Sequence, residues 1–290
     1  MPQSVLYWKP AKGGFGMARP MLRRENPHPE QMQAFRISCA DCYGYCCTAL
    51  CFFKTDGFPM DKPAETPCRN LEPDFRCRVH DQLSGRGWKG CRAYDCLGAG
   101  QAAARLYRKD WREAPGTASE QFTVFLTLCR LRQIGWHLVE ALQLLPAKPL
   151  WAALEAQLAE NQRLAGQPAG ALIGLDLSAH QARVNPLLKQ AAALTMQAAG
   201  GGKRCADGIG KRFRGELSGM DFSLALLIAA NFSGCTFYGS NLLGADLREA
   251  DFSDSDLRGA FFLTQGQLNA AKGNRNTRLP EGLSHPSHWD

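Results

Sequence analysis

The sequence predicts a mixed multi-domain chain: an irregular cysteine-rich metal-binding head, a small helical bundle and a C-terminal coil built on a short repeat. Three observations carry this. Nine of the twelve cysteines fall between Cys39 and Cys96, Ala and Leu rise from about Gln101, and large apolar residues recur every five positions from Leu217 to Phe262. The divisions follow: an extended N-terminal arm over 1–37, a cysteine-cluster domain over 38–100, a helical region over 101–199, a Gly-rich basic hinge over 200–214, the repeat over 215–264, and a capping helix and tail over 265–290.

The arm is expected to be unpacked because Gly13, Gly14, Gly16 and prolines from Pro2 to Pro29 alternate with Lys9, Lys12, Arg19, Arg23 and Arg24. The head has no sustained helical period, so something other than an apolar core must hold it. In the helical region, Thr117 with Glu120 reads as a capping box before Phe122, Phe125, Leu126, Cys129, Trp136, Val139 and Leu142. Pro146 stops that helix. A second is expected from Pro149 to Gly166, and a third after Ser178, with Asn185–Pro186 able to delay its start. Gly200–Gly202 through Gly210 reads as a flexible hinge.

At positions 217, 222, 227, 232, 237, 242, 247, 252, 257 and 262 every residue is Leu or Phe. Two residues earlier the side chain is small except at Met220, and Asp or Asn precedes the centre at 221, 231, 241, 246, 251 and 256. Neither helix nor strand has this period. A chain that turns a corner every five residues would bring each centre to an inner wall and stack it on its fourth neighbour, giving a square coil. This stretch resembles the pentapeptide-repeat family, and the resemblance implies a right-handed quadrilateral β-helix. Ten repeats at four per coil make about two and a half coils, a rise of only about 12 Å at the spacing of β-strands. Thr264 with Gln267 offers a capping box for a short helix that would plug the end.

With 290 residues, 45% of them hydrophobic and 21% charged, the chain is not globally disordered. It has no run of 18 apolar residues, and its first 21 residues lack the apolar core of a signal peptide. The expectation is a cytoplasmic protein with no membrane partner. There the cysteines stay reduced, which favours metal over disulfides.

Cys39 and Cys42 are spaced to turn two thiolates to one ion, the usual half of a zinc or iron–sulfur site. Cys46 and Cys47 are adjacent, and side chains that diverge would suit two metals or one polynuclear cluster better than one ion. Thiolate softness excludes calcium and magnesium and leaves zinc, iron–sulfur and copper(I). Residues 38 to 96 are similar to a bacterial cysteine-cluster family regarded as zinc- or iron-chelating. That resemblance implies a ligand set of Cys39, Cys42, Cys46, Cys47, Cys68, Cys77, Cys91 and Cys96. Cys51 is extra to it, and His80 is an alternative ligand. Cys129 and Cys235 read as packing residues and Cys205 as an exposed, idle thiol.

Gly200 to Lys203 and Gly208 to Lys211 lack the spacing and the following Ser or Thr of a phosphate loop, which argues against nucleotide binding. No hydrolase-like order of Ser, His and Asp, or of Cys and His, is present, so the reading leans away from an enzyme. The basic cluster Lys203, Arg204, Lys211, Arg212 and Arg214 reads as a solvated charge run rather than a nucleic-acid site.

Three functions compete: a metal-binding module that docks an unidentified protein partner, a DNA mimic acting on type II topoisomerases, which the repeat resemblance implies, and an iron–sulfur redox or group-transfer protein. From Lys211 to Thr264 there are seven acidic and five basic residues, too little negative charge for a DNA substitute.

Overall fold

Each residue that the five-residue pattern marks as large is out of water. The computed structural model describes residues 20–289, so most of the expected N-terminal arm lies outside the described residues. All ten centres are buried, from Leu217 at 2% to Phe262 at 0% exposure. The chain divides into two compact units, each assembled from discontinuous segments. Among the described residues one comprises 20–27, Glu140–Ala152 and 187–289, and the other His28–Val139 and Ala153–Pro186.

In the first unit the repeat folds as a stack of tight turns. The Ala225 N–H donates to the Phe222 carbonyl at 3.0 Å, and the same bond from third neighbour to centre recurs along the stack, as in Ala230 to Leu227 and Cys235 to Phe232. The third residue of the turn takes a left-handed conformation at Gly219, Leu224, Ala229, Gly234, Gly239, Gly244, Glu249 and Asp254. That combination defines a type II turn. The Asp and Asn before the centres brace the same turns, since Asp221, Asn231, Asn241, Asp246, Asp251 and Asp256 each accept the backbone N–H two residues on, at 2.9–3.2 Å. These side chains hold the corner from outside while Leu and Phe hold it from within.

The expected quadrilateral β-helix is corrected, because among the described residues no β-strand or sheet forms. The region consists of turns joined by isolated parallel bridges, such as Asp221 to Asn241, Leu226 to Asp246 and Asn231 to Asp251. The reason is local. A turn consumes four of every five residues, which leaves single bridging positions and no length for a ladder.

The hinge expected over 200–214 is also corrected. Arg204, Asp207 and Arg212 bridge to Asp221, Leu226 and Asn231, and Phe213 stacks on Phe232 with ring centroids 4.6 Å apart. Phe232 in turn stacks on Phe252 at 5.2 Å. Bridges within the repeat join residues 20 apart, whereas Arg212 and Asn231 are 19 apart, so the period breaks in sequence while the stack continues in space. Cys205, expected to be exposed, packs partly buried against this core. Two buried hydroxyls are satisfied by carbonyls within the stack: Ser255 donates to Phe232 at 2.7 Å and Thr277 to Phe252 at 2.9 Å.

At the far end Thr264 and Gln267 form the capping box of a helix over Gln265–Ala270. Leu268 and Trp289 join the core there. The same unit takes in residues 20–27, where Arg23 pairs with the buried Glu140 carboxylate, which also accepts the Phe262 N–H at 3.1 Å. Burial of that charge is tolerable because its oxygens are bonded.

The second unit is helix and irregular chain. In order come α1 (Pro29–Ala34), α2 (Tyr45–Ala49), α3 (Lys89–Ala93), α4 (Ala99–Ala104), most of α5 (Ala118–Leu142), most of α6 (Trp151–Ala165), α7 (Ala169–Ile173) and the first part of α8 (Leu177–Ala198). α8 continues through Pro186 rather than starting after it. The capping box expected at Thr117 and Glu120 is replaced by other bonds: Thr117 donates to the Ala114 carbonyl at 3.0 Å, and Glu120 accepts the Tyr107 hydroxyl at 2.9 Å. α1 shows that the arm is helical over its last part, because Pro29 sits in the first turn where its missing N–H costs nothing. Among the described residues no helix is long and apolar enough to cross a membrane.

Candidate metal centre

α2 carries Cys46 and Cys47 and is anchored by the residue before them. Tyr45 is fully buried, stacks on Phe125 at 5.5 Å and donates its hydroxyl to Gln121 at 2.8 Å. Adjacent thiols are expected to diverge. These do not: Cys46 Sγ donates to Cys47 Sγ across 4.0 Å. Two sulfurs 2.3 Å from a tetrahedral zinc would be separated by about 3.8 Å.

The remaining thiols come from the segments around α2. Cys39 opens a single 3-10 turn and is exposed, while Cys42 follows it half-buried. Cys68 is buried, and its N–H donates to the Cys47 carbonyl at 2.9 Å. Cys77 is held by an antiparallel bridge to Leu71, Cys91 sits on α3, and Cys96 precedes α4. Gly100 lets Cys42 approach α4, since a Cβ there would lie 2.6 Å from Cys42 Sγ.

Backbone N–H groups are turned toward several sulfurs. Those of Tyr45 and Gly44 point at Cys42, that of Val79 at Cys77, and those of Gly100, Gly98 and Ala99 at Cys96. Such groups favour a sulfur that carries negative charge. Burial opposes that charge, pushing Cys42 up to about 11 and Cys91 up to about 12. Mutual repulsion adds to burial in two overlapping sets. Cys42 is raised further by Cys96 and Cys39, and Cys91 by Cys47, Cys68 and Cys77. Cys39 belongs to both, feeling Cys96, Cys47 and Cys77. Cys47 alone moves down, chiefly through the hydrogen bond from Cys46.

Two neighbours escaped sequence reasoning. Cys129, assigned to packing, is held by the Tyr94 hydroxyl at 3.7 Å and is raised to about 12, first by burial and then by Cys96 and Cys42. Lys62 is only 4% exposed, and its ammonium donates to the carbonyls of Thr48, Leu50 and Pro63. A lysine in a Pro- and Asp-rich loop gives no sign of burial in the sequence. Cys51 is exposed, and His80 is exposed with Nδ1 3.5 Å from Asp81.

Among the described residues no group of three or more His, Cys, Asp or Glu side chains is placed to hold a metal ion. The donor type still suits a thiophilic cation: the thiols are soft and numerous, with N–H groups directed at those of Cys42, Cys77 and Cys96.

The model for pentapeptide repeats matches residues 221–262 in eight copies, which identifies the turn stack as a run of pentapeptide repeats. Across nearly the whole chain the likeness is to the uncharacterised protein YybG of Bacillus subtilis (strain 168), 40% identical over 260 residues covering 87% of this chain and 93% of that protein. The chain belongs to the same family as YybG.

Proposed function

We propose that the protein is a metal-binding interaction module in which the cysteine-rich segment holds zinc or an iron–sulfur cluster and the turn stack docks a protein partner. The metal reading is supported by the density of thiols over 39–96, by the 4.0 Å approach of Cys46 Sγ to Cys47 Sγ, and by backbone N–H groups turned to the sulfurs of Cys42, Cys77 and Cys96. Eight thiolates would serve two four-sulfur sites. Binding would draw the sulfurs into two four-sulfur spheres, and a segment with little apolar core of its own would gain its order from the metal.

Partner docking is supported by apolar side chains at outward positions of the repeat. Leu224 is 72% exposed, Leu226 46% and Ile209 50%. They lie on adjoining turns, with Asp207 bridging to Leu226 and Gly210 donating to the Ile228 carbonyl. Leu226 occupies the place that Asp or Asn holds in six other repeats, so its exposure serves no corner. The DNA-mimic reading loses further ground because Asp246, Asp256 and Glu249 are paired with Arg248, Arg258 and Lys272.

Metal analysis with an absorption spectrum, on protein purified without air, tests the metal reading. A colourless protein with stoichiometric zinc supports a zinc head, and a brown one that bleaches on oxidation supports iron–sulfur. Absence of any bound metal in that protein refutes the proposal.

A further inference from the structure

The turn stack is closed at one end and open at the other. At its last layer the helix over Gln265–Ala270 and Trp289 cover the core. At its first layer the chain spends its bonds in one direction only. Around Arg204, the Lys203 carbonyl accepts the Asp221 N–H at 2.8 Å and the Cys205 N–H donates to the Asp221 carbonyl at 2.9 Å. Around Arg212, the Lys211 carbonyl accepts the Asn231 N–H at 2.8 Å and the Phe213 N–H donates to the Asn231 carbonyl at 2.9 Å. In each bridge the later residue turns both of its main-chain groups back at the layer before it. Arg204 and Arg212 hold that place in the first layer, so their own N–H and C=O face out of the end of the stack. Among the described residues neither takes a backbone partner, and both are exposed. Main-chain groups presented in this way are a template for another chain.

Spacing and charge say what fits there. The bridges are single, so a straight strand would reach one pair of groups and miss the rest. A segment that turns as the repeat turns, every five residues, meets several and lies on the end as a further layer. Residues 203–216 hold five basic side chains against Asp207 and Glu216, whereas 217–264 hold six acidic against two basic. The open end is therefore positive on a negative stack. A second copy brought to it end to end meets either the same positive charge or the closed cap. A nucleic-acid backbone brings negative charge but no N–H for the exposed carbonyls. An acidic polypeptide brings the charge together with main-chain donors and acceptors.

We propose that the first layer is a docking end for an acidic protein segment of five-residue turns, which adds to the stack as one more layer and sets its carboxylates against Arg204 and Arg212. This rests on the reading of the stack as a docking module, and it places the partner on the end rather than on the wall that carries Leu224.

The probe is a labelled peptide of residues 241–260, one layer long because bridged residues of the repeat lie 20 apart, carrying Arg248→Glu and Arg258→Glu. Fluorescence anisotropy with the full chain at physiological salt reads its binding, which should saturate. A peptide of the same composition in scrambled order keeps the charge and loses the turns, and should bind roughly tenfold or more weakly. Arg204→Glu with Arg212→Glu in the chain should weaken the ordered peptide by about the same factor. No saturable binding, equal affinity for the two peptides, or unchanged affinity in the arginine variant each overturns the proposal. If that variant does not fold, the two peptides on the parent chain decide the matter. Duplex DNA that displaces the peptide at the same salt overturns it in favour of nucleic acid, and a sedimenting dimer that the arginine variant dissociates overturns it in favour of a second copy. Leu224→Asp with Leu226→Asp separates this proposal from the broader reading. Binding lost there but kept in the arginine variant overturns the end and leaves docking on the stack, whereas binding indifferent to both pairs of substitutions defeats docking on the stack itself.

Discussion

Phe252 shows what a single centre of the repeat contributes. Its ring is fully buried, stacked on Phe232 and tilted against Phe237 with centroids 5.6 Å apart. Phe252→Ala should cost about 3–5 kcal/mol, because the flanking rings belong to corners that cannot collapse inward without breaking their turns. Urea melts of the two proteins measure it, and a difference under about 1 kcal/mol would show that the ring is not holding the stack. His137 on α5 behaves oppositely with pH. Burial lowers its pKa to about 4, below the value near 6.5 of an unfolded chain. A depressed histidine contributes stability that is complete above about pH 6.5 and is lost as pH falls toward 4. His137→Gln should therefore flatten the acid side of a stability–pH curve in that window, and an unchanged slope would count against it.

Turns are the element on which the first unit depends, and their chemistry has two parts. The Asx bonds are visible in the sequence as Asp or Asn before six centres, although the pattern alone does not say what those side chains do. The left-handed residues are harder to see, even though Gly219, Gly234, Gly239 and Gly244 stand two positions after their centres. Their signal is diluted because Leu224, Ala229, Glu249 and Asp254 adopt the same conformation without being glycine. Gly234→Ala should lower stability by about 1–2 kcal/mol even though a Cβ there meets nothing within 4 Å, since the cost lies in φ alone. Ala229→Gly should not destabilise to that degree. Melting both variants separates backbone strain from packing.

At the scale of the whole molecule, charge and metal decide behaviour. Chelation should open the segment from Cys39 to Cys96 to proteolysis while the turn stack, with its own aromatic core, remains resistant. Unchanged digestion after complete metal removal would argue that the thiols do not organise this segment. With a net charge of +7 the protein should bind duplex DNA weakly at low salt and lose it by physiological salt, which a salt titration follows. Replacing Leu224 and Leu226 by Asp should leave the melting temperature close to the parent, because both side chains already face water, and should weaken binding of any partner that uses that face.

The sequence by itself determined which residues line the interior of the stack, since a corner every five residues forces one large side chain inward per turn. It also determined the capping box at Thr264 and Gln267, a contact between residues three apart. Only the tertiary structure decided what depends on residues distant in sequence. Residues 204–213 join the stack although their spacing breaks the period, because bridges form to chain some 17 to 19 residues on and do not require the consensus. β-strands are absent among the described residues because turns consume the length a ladder would need. Likewise the compact units are stitched from separated segments, and Lys62 is buried because the carbonyls of Thr48 and Leu50 at the end of α2 are presented to it. Local rules act through neighbours along the chain. Burial, bridge partners and electrostatic company are set by neighbours in space, and these the sequence leaves unwritten.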